Sequence, residues 1–378
     1  MAPMEGVVDW PLRFAISRYS EIDYFVTEFM RVTTQVYPPH EFYKYCPELL
    51  QTSLINNVPV GFQLLGGGAH TIAANAVAAV QLGARGIDLN FGCPAKTVNR
   101  HDGGATLLQH PERIHEIVRE TRSRLPASIP LSVKMRLGFS DKHLAHENFA
   151  AAVKGGASWI TIHGRTKDQM YKPSADWHSI AKLNQPNLLP VFANGDIFSI
   201  TDFVECHKTT GTKQFMLGRG LLANPFLVRE IKAFIRQEPL PVIGDSLTNL
   251  LAEFFVACVH FKSQAYAISR MKQWMNSLRQ HFPFVQDAFD ELRILRDEAF
   301  VERLWTLLDF SSTDVQFVNE KIEPLVPRVF HSRAWWKTQS TQTQATQSAT
   351  SNSNHDSALS KMSGTTNSDA FLEARNLN

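Results

Sequence analysis

The stretch Thr71-Ile-Ala-Ala-Asn-Ala-Val-Ala-Ala-Val-Gln-Leu82, followed by Gly83 and then by Ile87-Asp-Leu-Asn-Phe-Gly-Cys93, decides the fold class. Its alanine-rich middle is a strong helix former, and Gly83 just beyond Leu82 supplies a stop signal. Residues 87–91 then read as a short strand that ends in polar and glycine chemistry. Outward from this unit the same alternation recurs in both directions. Strands are expected at 25–29, 61–65, 87–91, 131–136, 159–163, 191–193 and 215–217, with helices at 71–82, 111–124, 143–154, 199–207 and 225–236. The strand runs are continuously apolar, as strands buried on both faces of a parallel sheet are. Strict alternation from about residue 6 to residue 234 predicts an α/β fold, a (β/α)8 TIM barrel rather than an open sheet. Seven strands are visible. The eighth must come first, so either it is very short or the start of the chain is placed too late.

Beyond Pro241 the period changes to helix, at 247–261, 267–281, 284–295 and 302–308, which predicts a small helical-bundle domain. From about Thr338 onward the chain is Ser, Thr, Gln and Asn with few apolar residues, too little to offset the entropy of ordering. The expected division is a barrel over 1–240, a helical domain over 241–333 and a disordered polar tail over 334–378. The 378 residues are 44% hydrophobic and 20% charged with a net charge of +2, ordinary for a soluble enzyme. Such a charge does not announce a nucleic-acid partner, so any RNA contact must come from a local patch. Cys46, Cys93, Cys206 and Cys258 lie far apart, which argues against a zinc cluster or a disulfide framework; no metal is expected. The start MAPMEGVVDWPLRF lacks the features of a secretory signal, and no apolar run approaches the roughly 18 residues of a membrane span. A cytoplasmic chain without a membrane partner is expected.

In a barrel the active site sits at the carboxyl ends of the strands. Those ends read Glu28-Phe-Met-Arg31, Gln63, Asn90-Phe-Gly-Cys93, Lys134 with Arg136, His163-Gly-Arg165, Asn194-Gly-Asp196 and Gly218-Arg-Gly220. Turn and cap chemistry accounts for some of these, but not comfortably for seven ends at once. The last two are glycine turns after strands seven and eight, where barrels often bind a phosphate. Either turn alone is a weak signal, and Gly66-Gly-Gly68 is read as a loop. Lys134 inside an apolar run needs an anionic partner. That partner is either a neighbouring carboxylate or the N1/C2-carbonyl edge of a reduced flavin. Cysteine is usually a small buried hydrophobe, which suits Cys206 and Cys258. Cys93 instead lies just past a strand end; with an ordinary pKa of about 8.5 its thiol can serve as a general acid.

The stretch Leu89-Asn-Phe-Gly-Cys-Pro-Ala-Lys-Thr-Val-Asn-Arg-His-Asp-Gly-Gly-Ala105 resembles the catalytic signature of the dihydrouridine synthases. Ala2-Pro-Met-Glu-Gly6, Gln63-Leu-Leu-Gly66, Ser132-Val-Lys-Met-Arg-Leu-Gly138, His163-Gly-Arg-Thr166, Asn194-Gly-Asp196 and Gly218-Arg219 match the same family in the same order. The likeness covers about residues 2–310, and within the family it is greatest to the bacterial C-type, which acts at position 16 of the tRNA D-loop. It departs in the missing first strand and in the polar tail. The resemblance implies FMN bound by Pro3, Met4, Glu5, Gln63, Lys134, His163, Asn194, Gly195, Asp196, Gly218 and Arg219, with NADPH as the reductant. It also implies Cys93 as the acid, with Asn90 and Tyr171 beside the substrate base.

In that reading hydride from the flavin reaches uracil C6 and the Cys93 thiol protonates C5. A stacked uracil cannot reach a barrel mouth, so the base must be flipped out of the RNA. The helical region supports RNA binding independently. No acidic residue lies between Glu253 and Asp287, while Lys262, Arg270, Lys272 and Arg279 fall there with Tyr266 and Trp274 among them. Lys272 and Arg279, seven apart, share a helix face. The competing reading is a solvated helix with Trp274 in the core. Arg31, Arg270, Lys272 and Arg293 are the candidates for choosing the uridine, with Gln273, Trp274 and Arg279 completing the tRNA surface of a monomer. Two rivals are an FMN barrel reductase of a free pyrimidine and a catalytically silent tRNA-binding protein.

Overall fold

The computed structural model describes residues 1–51, 53–95, 102–325 and 327, and these belong to one compact unit. The tail expected over 334–378 and the signature residues 96–101 lie outside the described residues. Seven strands form a curled parallel sheet in the order β1 (Phe25–Val26), β4 (Val58–Leu65), β5 (Ile87–Phe91), β6 (Leu131–Gly138), β7 (Trp159–Thr166), β8 (Val191–Asn194) and β9 (Gln214–Met216). Two short strands, β2 (Met30–Arg31) and β3 (Leu54–Ile55), pair only with β4.

The strand expected at 25–29 is thus two pieces. Between them the Thr27 hydroxyl accepts the Gln63 N–H at 3.0 Å, so a side chain completes the ladder where the backbone bulges. The place of the eighth strand is taken by Met1 and Ala2. Ala2 N–H donates to the Leu217 carbonyl at 2.7 Å, and the Met1 amine donates to the Tyr24 carbonyl at 2.6 Å. Ala2, Val26 and Met216 pack together at the seam. These two hydrogen bonds let residues 1–2 bridge the gap between β1 and the end of β9. At the barrel floor the Tyr24 hydroxyl lies where a Cβ on Gly61 would stand 2.1 Å away, so any larger residue at Gly61 would displace the ring.

Helices α1 (Trp10–Tyr19), α2 (Pro39–Tyr45), α3 (Ala69–Gln81), α4 (Pro111–Arg124), α5 (Ala145–Gly155), α6 (Trp177–Leu183), α7 (Ile200–Thr210), α8 (Arg219–Ala223) and α9 (Leu227–Ile235) accompany the strands. The expected helix at 225–236 is preceded by the separate turn α8, because Pro225 cannot continue a helix from Asn224. The sequence reading missed α1. Its residues from Trp10 to Ile16 are all buried, Arg13 included, so it has no polar face to generate a period.

The helical region comprises α10 (Ser246–Phe261), α11 (Gln264–Leu278), α12 (Pro283–Leu292), α13 (Asp297–Leu307) and α14 (Ser312–Ile322). Helix α14 was not expected, although its capping box, Ser311 with Asp314, stands in the sequence. Helix α10 is buried almost all round and lies against α1. Trp10 stacks on Phe261 at 6.0 Å and Arg18 pairs with Glu253 at 2.6 Å. Each such large apolar side chain contributes about 1.5–3 kcal/mol by leaving water. The helical region and the barrel share one hydrophobic core.

Candidate active site

Strand alternation sends one set of side chains into the barrel. On β5, Ile87, Leu89 and Phe91 face the helices while Asp88 and Asn90 point inward; on β6 the inward set is Ser132, Lys134 and Arg136. On β7 it is Thr161 and His163. The register places Asn90 beside Lys134 beside Thr161, and Arg136 beside His163 beside Asn194. The residues read from the strand ends therefore converge at one mouth.

Asn90 seats the cysteine loop. Its Oδ1 accepts the backbone N–H of both Gly92 and Cys93 at 2.9 Å, and its Nδ2 donates to Gln63 Oε1 at 2.9 Å. Arg136 holds the loop from the other side, donating Nε–H to the Gly92 carbonyl at 2.9 Å and Nη1–H to the carbonyls of Thr166 and Met170. Cys93 and Ala95 pack on Phe29 and Leu65. Burial pushes the Cys93 thiol up, and the Glu5 carboxylate adds to this against Arg136 and Lys134. At neutral pH the sulfur carries its proton.

Lys134 is the outlier of the site. It has no hydrogen-bond acceptor and no salt-bridge partner among the described residues. Burial, then the Arg136 charge, brings its pKa down to about 8. The Asp88 carboxylate acts on this ammonium through space, against burial and Arg136. His163 is kept neutral by burial and by the surrounding cations Lys134, Arg136 and Arg165. Arg165 Nη1 approaches its Nε2 at 3.3 Å, and guanidinium can only donate, so Nε2 accepts and the proton belongs on Nδ1.

The turn after β8 is built around Asp196. Its carboxylate accepts from Arg165, from the Ala175 N–H at 2.8 Å and from Arg219 at 3.0 Å. Gly195 sits at φ +122°, and a Cβ there would stand 2.9 Å from Ala175 and 3.0 Å from His163, so only glycine fits the turn. Asn194 Nδ2 donates to the Met216 carbonyl at 2.6 Å, tying this turn to β9. Arg219 follows Gly218 and also covers the Tyr171 ring at 4.7 Å, with Arg136 at 5.8 Å. Tyr171 is half exposed at the rim.

Pro3, Met4 and Glu5 lie on the loop that follows residues 1–2. The Gly6 N–H in that loop donates to Glu28 at 2.5 Å. Helix α11 clamps the same loop: Arg270 pairs with both oxygens of Asp9 at 2.9 and 3.0 Å, and Tyr266 donates to Asp9. Gln273 reaches the Gly6 carbonyl at 3.3 Å. Arg270 is 5% exposed and Trp274 is 3% exposed, the latter donating to the Leu222 carbonyl at 3.1 Å. The sequence expectation that these two contact RNA directly meets an interior location instead. A run of cations free of acidic residues gives no sign of which of them face inward.

Lys272 donates to the carbonyls of Arg293 and Leu295 at 3.1 and 2.6 Å, satisfying the open end of α12. Arg279 lies over Phe289 at 4.8 Å, and Arg293 is exposed beside Asp290. Arg31, half-buried at the end of β2, lies far along the chain from these. Sequence reasoning gave no role to Arg136, Arg165, Asp88 or Asp9. A signal existed for the first three: each lies two residues from a named one, hence on the same strand face. Among the described residues no group of His, Cys, Asp and Glu could hold a metal ion, and no helix is long and apolar enough to cross a membrane.

A family model described as dihydrouridine synthase matches residues 1–322. The chain is 41% identical over 307 residues to a protein of Neisseria meningitidis serogroup A named tRNA-dihydrouridine(16) synthase, covering 80% of this chain and 92% of that one. Proteins of the same name from Pseudomonas putida and Vibrio vulnificus are 44% identical over 306 residues and 42% over 307, each covering 80% of this chain and 95% of theirs.

Proposed function

The chain belongs to the dihydrouridine synthase family, and on that premise we propose that it reduces uridine 16 in the D-loop of tRNA to 5,6-dihydrouridine, with FMN as resident cofactor and NADPH as reductant. The observation that carries the reading is the barrel mouth itself: a protonated thiol just past β5 and, on the neighbouring strand β6, an ammonium with no hydrogen-bond acceptor or salt-bridge partner among the described residues. The residues present fit a flavin phosphate and ring. Among the described residues Lys134 and His163 Nδ1 are donors without protein acceptors, and Gly195 and Gly218 carry the two turns beside Arg219. FMN, once reduced, supplies hydride at uracil C6.

The chain's own residues supply the rest. Addition at C6 of the C5=C6 bond leaves an enolate with carbanion character at C5, and the Cys93 Sγ–H transfers its proton there. Burial holds that proton on sulfur through neutral pH. Asn90 and Arg136 fix the loop from two sides, so Sγ meets the ring in one position. Tyr171 offers a ring face at the rim on which a flipped base can pack. The thiolate is restored to thiol by solvent, and the same steps reversed would oxidise dihydrouridine.

Lys272, Arg279 and Arg293 are proposed as phosphate contacts, with Arg31 and Gln273 nearer the mouth. Arg270 and Trp274 serve this surface by seating α11 on the barrel. A catalytic part over 1–240, an RNA-binding part over 241–333, a monomer and a cytoplasmic location complete the proposal. The test is mass-spectrometric mapping of an unmodified tRNA incubated with the purified chain and NADPH. Dihydrouridine at position 16 is expected. Its appearance elsewhere overturns the position, and its absence with free pyrimidine reduced overturns the substrate.

A further inference from the structure

We infer that Asp88 is a positioning residue: its buried carboxylate fixes the order of the two amides, Gln63 and Asn90, that seat the Cys93 loop. The inference rests on the reading of Cys93 as the acid. Asp88, on β5, is fully buried at the barrel floor. Its Oδ1 accepts from Gln63 Nε2 at 2.6 Å and its Oδ2 from the Ser132 hydroxyl at 2.6 Å. Gln63 Oε1 then accepts from Asn90 Nδ2 at 2.9 Å, and Asn90 Oδ1 accepts from the Gly92 and Cys93 N–H groups.

Both ends of this chain are chemically forced. A backbone N–H can only donate, and an ionised carboxylate can only accept. An amide can be turned over at almost no cost in shape, so nothing in Gln63 or Asn90 alone decides which way each faces. Between an accept-only and a donate-only terminus, a single orientation of both amides satisfies every group. If the acceptor at position 88 is lost, Gln63 Nε2 is left without its partner and Gln63 is free to turn its NH2 toward Asn90. Asn90 is then held by the two loop N–H groups alone, against an NH2 that opposes it from Gln63. The seat of the thiol is loosened although no residue of the loop has changed. Asp88 is also the carboxylate whose charge acts on Lys134, so the same group moderates both functional ends of the mouth. Burial brings the Asp88 pKa up to about 6, which leaves it ionised at neutral pH as the order requires.

Two substitutions separate order from shape. In Asp88→Asn the amide oxygen still accepts from Gln63 while its NH2 donates to Ser132, whose hydroxyl can turn to accept. In Asp88→Leu no acceptor remains. Because Cys46, Cys206 and Cys258 are buried, alkylation by iodoacetamide of the native holoenzyme reads Cys93. Asp88→Leu should alkylate at least about fivefold faster and lose roughly tenfold or more in kcat with KM for tRNA unchanged. Asp88→Asn should stay within about twofold of the parent in both. Should Asp88→Leu not be purified in folded form, Asp88→Ala, which removes both acceptors and leaves a small group, carries the same expectation. Parent-like alkylation and kcat in a folded Leu or Ala variant overturn the inference, as do faster alkylation and a lost kcat in Asp88→Asn. If uridine reduction is not the activity, turnover is absent in the parent as well, while the alkylation comparison still decides the role of Asp88.

Discussion

The barrel mouth and helix α11 both carry conspicuous cations, yet they hold them in opposite ways. Among the described residues Lys134 at the mouth has no hydrogen-bond acceptor or salt bridge, and neutral His163 keeps one N–H without an acceptor. On α11, Arg270 is spent on Asp9 and Lys272 on the carbonyls that end α12. A cation left without protein partners is held ready for a ligand. A cation buried in an ion pair, as Arg270 is, holds the fold and touches a partner only through what it positions, whereas Lys272, partly exposed, can also meet a phosphate.

Substitutions can break that contrast or sharpen it. Cys93→Ala, at the mouth, should lose about 10²- to 10⁴-fold in dihydrouridine formation. Its FMN content and tRNA affinity should stay near parental; retained turnover would remove the thiol from the chemistry. Arg270→Ala should lower unfolding free energy by about 3–5 kcal/mol, since it leaves Asp9 buried against a missing charge. Denaturant unfolding checks this, and a parental midpoint would return Arg270 to the surface. Lys134→Met should keep stability but weaken FMN binding roughly 10- to 100-fold, the loss of one charged hydrogen bond. Fluorescence titration of FMN measures it. In the parent the same affinity should decline as pH rises past about 8, where the ammonium loses its proton. Lys272→Ala is the mixed case. It should cost about 1 kcal/mol of stability and lower the salt slope of tRNA affinity by about 1. Lowered stability with an unchanged slope would leave Lys272 a helix cap alone.

How much of this the sequence disclosed follows the same divide. Strands 87–91 and 131–138 show their chemistry because the inside of a barrel is a fixed destination: a polar residue in an apolar strand run has nowhere else to point. Lys134, His163 and Asn194 were legible for that reason and Cys93 because it stands just past the end of such a run, while Arg136 and Asp88 follow from the same period of two. A helix offers no such guarantee. Arg270, Lys272 and Trp274 read as one basic patch with an aromatic among the cations, but whether each met water depended on partners off the helix: Asp9 for Arg270, 261 residues away in the chain, and the Leu222 carbonyl for Trp274. Helix α1 was invisible because a helix buried on every side has no period. The bridge across the barrel gap was nearly so, because Met1 and Ala2 show their place only through Leu217 and Tyr24.

The most direct test of the central claim is the pH dependence of a single turnover, with reduced holoenzyme mixed with tRNA. A buried neutral thiol that gives up its proton should yield a rate that is flat through neutral pH and falls only above the ordinary thiol range of about 8.5. In Cys93→Ala the fall should vanish along with most of the rate. A rate that climbs with pH over the same interval would mean that the deprotonated sulfur is the active form, and Cys93 could not be the acid.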